Sequence, residues 1–130
     1  MRSTLAELRA AIAQVVGGSL GGMPTFPAWP ANISAPCAII ELGAGTQHKR
    51  LHWETDWHIT LVGPAGDNLA AAEWVQAMTL VCARDLSEQF TTKVAWSRPD
   101  TTVVIGTTHT YYAAQLTMTL NIEPDPIPVE

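Results

Sequence analysis

The chain has 130 residues, a size at which one hydrophobic core suffices, because a domain of this length buries roughly two-thirds of the surface its unfolded form exposes. Apolar residues make up 47% and charged residues only 15%, against about 25% charged in an average soluble domain. This composition excludes a disordered segment and leaves much of the surface to Thr, Gln, Ala and aromatic side chains, which suits subunit contacts. The net charge of −5, with no basic cluster beyond Lys49-Arg50, excludes tight nucleic-acid binding and adhesion to an anionic membrane, since both need a concentrated positive footprint.

Thr4 and Glu7 form a capping box, and Leu5, Leu8, Ile12, Val15 and Val16 follow at spacings that share one helical face, so a helix is expected over Thr4 to Val16, stopped by Gly17-Gly18. Glu7, Arg9 and Gln14 interrupt its apolar run, which argues against an export signal. No stretch approaches the roughly 20 apolar residues that span a bilayer. Residues 17–36 are rich in Gly and Pro and read as a long loop, with Phe26 and Trp29 as its aromatic anchors; an arm reaching a neighbouring subunit is one purpose for a loop of that length.

Cys37 to Leu42 reads as a short strand, followed by a Gly-rich connection through Gly43 and Gly45 and the polar stretch His48, Lys49, Arg50. From Leu51 to Val62 the alternation is clearest: Leu51, Trp53, Trp57, Ile59 and Leu61 fall on one side of a strand, and His52, Glu54, Asp56 and His58 on the other. Gly63-Pro64-Ala65-Gly66 breaks the strand, and Asp67 or Asn68 caps a helix expected to run to about Glu88. Its core stripe is Ala71, Trp74, Val75, Met78, Val81, Cys82 and Leu86, while Leu69, Ala77 and Leu80 lie off that stripe and mark a second contact side. Strands follow at Thr91 to Trp96, Thr101 to Ile105 and Thr110 to Ile122, the last with Ala114, Leu116, Met118 and Leu120 on one face and Gln115, Thr117 and Thr119 on the other. Residues 123–130 carry Pro at alternate positions, cannot extend a central strand, and read as an extended arm bearing Ile127 and Val129.

The expected fold is therefore α+β, a mostly antiparallel sheet with two helices packed on one face in the order α-β-β-α-β-β-β, forming one domain over 1–122 with a C-terminal arm over 123–130. Cys37 and Cys82 are expected as buried free thiols, the state of a reducing cytoplasm.

Three patterns carry possible chemistry. His52, Glu54, Asp56 and His58 place metal-ligand side chains on one strand face, with His48 and His109 as further candidates, but neighbours on that face lie about 6 to 7 Å apart along the backbone, so a polar, subunit-facing strand is preferred over a metal-dependent enzyme. Gly43-Ala44-Gly45 follows a strand, yet no third Gly and no helix complete a dinucleotide-binding turn. Neither Cys has a local partner that would make it a nucleophile. No catalytic residue, metal or cofactor is expected. The candidate subunit-contact or channel-facing residues are His52, Glu54, Asp56, His58, Gln115, Thr117 and Thr119, and the candidate contact loops and arms carry Phe26, Trp29, His48, Lys49, Arg50, Ile127 and Val129.

The chain as a whole resembles the tail terminator, or tail completion, proteins of long-tailed bacteriophages with non-contractile tails. The resemblance rests on the capped helix Thr4 to Val16, the strand Pro36-Cys37-Ala38-Ile39-Ile40-Glu41, the strand Asp56-Trp57-His58-Ile59-Thr60-Leu61-Val62, the helix after Asp67, and the closing Tyr112-Ala113-Ala114-Gln115-Leu116-Thr117-Met118-Thr119-Leu120. It covers nearly the whole chain in length, element order and texture, without a diagnostic motif. It implies a ring, typically a hexamer, that binds the last ring of tail-tube protein, stops tube growth and offers a surface to the head–tail connector protein. It also implies residence in the bacterial host's cytoplasm during assembly and then in the virion, at the head-proximal end of the tail. DNA would pass through such a ring without specific binding, which the acidic balance favours. Another head–tail joining protein of the same virion would share these traits.

Overall fold

The computed structural model describes residues 5–19, 21–27, 36–49, 52–65, 69–97, 100–103 and 110–122. Trp29, Arg50, Leu51, the capping residues Asp67 and Asn68, His109, and the arm with Ile127 and Val129 lie outside the described residues. In chain order the elements are α1 (Leu5–Ser19), β1 (Thr25–Phe26), β2 (Cys37–Lys49), β3 (His52–Ala65), α2 (Leu69–Phe90), β4 (Val94–Trp96), β5 (Asp100–Val103) and β6 (Thr110–Ile122). The fold is α+β, with one sheet ordered β1-β2-β3-β6-β4 and with β5 also pairing β6. Among the described residues no helix is long and apolar enough to cross a membrane.

The sheet is mixed, which corrects the expectation of a mostly antiparallel one. β2, β3 and β6 form an antiparallel centre, but β1 lies parallel to β2, with Thr25 opposite Ala38 and Phe26 opposite Ile39. The stretch read as a loop over 17–36 thus contributes an edge strand. Its two residues are too short for alternation to register.

Helix α1 also runs past its expected stop, through Gly17 and Gly18 to Ser19. The terminating signal lies further on, where Gly21 (φ 73) and Gly22 (φ 87) take the left-handed conformation and the Gly22 amide donates to the Gly17 carbonyl at 2.7 Å. Helix α2 overshoots too, ending at Phe90 with Thr91 at φ 50, so β4 begins at Val94 rather than Thr91.

β2 and β3 are longer than the sequence suggested because a bulge absorbs the glycines. Leu42 pairs with Trp57 and Gly45 with Thr55, so one extra residue is inserted at Gly43-Ala44 and the strand continues to Lys49. A Cβ on Gly45 would lie 2.7 Å from the Glu54 carbonyl oxygen, which explains glycine there. At the other end Gly63, expected as a breaker, is a strand residue: a Cβ there would meet Val75 Cγ2 at 2.5 Å, so its absence lets α2 settle against β3.

The main core lies between the helices and one sheet face. Ile12 and Val16 of α1 and Cys82, Ala83 and Leu86 of α2 pack on Ala38 and Ile40 of β2, Trp57, Ile59 and Leu61 of β3, and Leu116, Met118 and Leu120 of β6. Three polar side chains on this face are satisfied locally. Trp57 Nε1 donates to Thr55 Oγ1 at 3.0 Å, Thr55 Oγ1 donates to the Leu120 carbonyl at 2.8 Å, and the buried Thr79 hydroxyl donates to the Val75 carbonyl one turn back at 2.7 Å. A second, smaller cluster sits on the opposite face, where Cys37, Ile39, Val62 and Tyr111 are buried with Phe26 against them. Both cysteines are free and buried.

Candidate functional site

β3 is the middle strand of the sheet, so the residues on its polar side are displayed between β2 and β6 on the face away from the helices. The register sets them in rows. His58 lies between Glu41 of β2 and Thr117 of β6, Asp56 lies beside Thr119, Glu54 lies between Thr46 and Asn121, and Thr60 lies between Ile39 and Gln115. Sequence alternation placed Glu54, Asp56, His58, Gln115, Thr117 and Thr119 together, and the structure brings them to one face. Glu41 was not foreseen, because only the cross-strand register brings it beside His58.

This face is partly knitted together. Thr119 Oγ1 donates to Asp56 Oδ1 at 2.8 Å, and the Thr119 carbonyl accepts from Thr92 Oγ1 at 3.1 Å. Where β4 ends, the Ser97 amide donates to the Gln115 carbonyl at 2.8 Å and the Gln115 amide donates to Ser97 Oγ at 3.0 Å, so the Gln115 backbone is fully paired while its side chain is exposed. The His58 ring lies over Gly43, where a Cβ would collide with Nε2, and its Nδ1 is buried without a hydrogen-bond partner among the described residues. Gly43 therefore makes room for an imidazole, not a phosphate. His58, Asp56, Glu54 and Thr117 are half-buried, and Gln115 and Thr119 are exposed. His52, His48 and Lys49 belong to the paired ends of β3 and β2, with Lys49 opposite His52, and their side chains are not among those described. Among the described residues no group of three His, Cys, Asp or Glu is placed to hold a metal ion.

Depressions among the described residues lie elsewhere. Between the C-terminal turns of the two helices, a groove of about 560 Å³ is lined by Ser19, Asp85, Glu88 and Gln89. There Ser19 Oγ lies 2.6 Å from Asp85 Oδ2, and Arg84 Nε donates to Asp85 Oδ1 at 3.0 Å. The Ser19 hydroxyl, more than the Arg84 guanidinium, holds the Asp85 carboxyl below its ordinary range. A second groove of about 340 Å³ opens at the β1 edge against α1, lined by Arg9, Ala10, Ala13, Phe26, Pro27 and Ile40. A third, of about 210 Å³, lies where Leu80 of α2 and Trp96 of β4 meet; these two are 57% and 50% exposed. Leu69, Ala77 and Leu80 fell off the core stripe in sequence, and all of them are exposed.

The thiols offer no nucleophile at neutral pH, because burial pushes Cys37 up to about 11, and burial with the nearby Asp85 carboxylate pushes Cys82 up to about 12. The face away from the two helices thus presents hydroxyl, amide, imidazole and carboxylate groups spread over three strands. No protein-family model matches the chain, and no curated protein matches it.

Proposed function

We propose that the chain is a structural assembly protein of a long-tailed, non-contractile bacteriophage, which caps the tail tube as an oligomeric ring, stops tube polymerisation and provides the surface for head attachment. The observation that supports this reading most is the unlikeness of the two sheet faces. One is covered by both helices, and the other carries Thr117, Thr119, Gln115 and the Glu54-Asp56-His58 row with neither helix packed on it. A tube ring presents at its growing end the same surface that accepted the previous ring, so heterologous addition has no internal stop. A terminator must occupy that end with one surface and turn a different one outward. A hexamer, contacts to tail-tube and connector proteins, and residence in the host cytoplasm and then the virion belong to the same proposal, which assigns no catalytic residue and no cofactor.

Electron micrographs of particles assembled without this chain test it. Overgrown tubes and heads without tails are expected. Normal-length tails joined to full heads would refute the role, and free tails of normal length would transfer it to a different head–tail joining step.

A further inference from the structure

We draw no further inference here: the strongest candidate, the depression where the exposed Leu80 of α2 meets the exposed Trp96 of β4, carries nothing because nothing in the structure shows what covers it.

Discussion

The two faces of the central sheet are built from the same three strands, with alternate residues of β3 divided between them, yet they hold together in different ways. On the helix-covered face Trp57, Ile59 and Leu61 are fully buried in one cluster with side chains of both helices, so each contributes through the apolar surface it removes from water. On the other face Asp56, His58 and Thr119 keep part of their surface open, and Thr119 and Asp56 are joined by a single hydrogen bond. Such bonds add only about 1 kcal/mol net. Most of the buried apolar surface lies on one side of the sheet, with the smaller Cys37, Ile39, Val62 and Tyr111 cluster on the other.

Trp57→Ala should expose this contrast most strongly. Removing a fully buried aromatic ring costs about 3–5 kcal/mol, and here it also strands the Arg9 guanidinium that lies over it. Urea denaturation should show a chain largely unfolded at room temperature, and a small shift in midpoint would mean that the two faces do not differ in this way. Gly63→Val comes next. The new side chain would be driven into Val75 where α2 touches β3, and overpacking of this kind costs about 1–3 kcal/mol. A thermal melt measures it.

Two further effects depend on pH. Both thiols have folded values above the 9.0 of a free thiol, at about 11 for Cys37 and about 12 for Cys82, so burying them stabilises the fold fully below pH 9. This contribution is lost as pH rises toward 11 to 12, because the unfolded chain releases those protons first. Native protein should therefore resist a thiol reagent at pH 8 and react with it on unfolding. Asp85 has the opposite sign. Its lowered value makes its contribution present above the ordinary carboxylate range and lost as pH falls through its folded value. Ser19→Ala removes the main cause of the shift, so the acid-unfolding midpoint measured by circular dichroism should move to higher pH.

The smallest changes in stability belong to the open face. Thr117→Ala should change the unfolding free energy by no more than about 0.5 kcal/mol, the usual range for surface positions. A larger loss in urea denaturation would show that this face is part of the stabilising core.

How far the sequence revealed this arrangement depended on how long each pattern ran. Period-2 alternation over β6 set its bounds at Thr110 and Ile122 and assigned Leu116, Met118 and Thr117 to their sides, because a strand of that length repeats its signal many times. β1 gave no such repeat, being two residues long. Gly43, Gly45 and Gly63 read as breaks because glycine ordinarily marks turns, whereas here each makes space for a neighbour: the His58 ring, the Glu54 carbonyl and α2. The polar row of β3 was visible from spacing, but the pairing of His58 with Glu41 was not, since register between strands is fixed by tertiary packing and by the bulge at Gly43-Ala44. The buried cluster of Cys37, Ile39, Val62 and Tyr111 on the otherwise polar face was also missed, because Cys37 to Ile40 is apolar at every position and shows no alternation. Arg9 looked like a residue that merely interrupted an apolar helix, and only the fold sets it over Trp57 beside the groove between α1 and β1.

Whether the open sheet face is an assembly surface is decided by light scattering over a concentration series, for the native chain and for Thr117→Arg with Thr119→Arg. The native chain should pass from monomer to a closed ring of defined mass. The double variant should unfold at the same urea concentration yet remain monomeric, because two uncompensated charges would be desolvated at the contact. A native chain that stays monomeric throughout, or a variant that forms the same ring, would rule out an assembly role for this face.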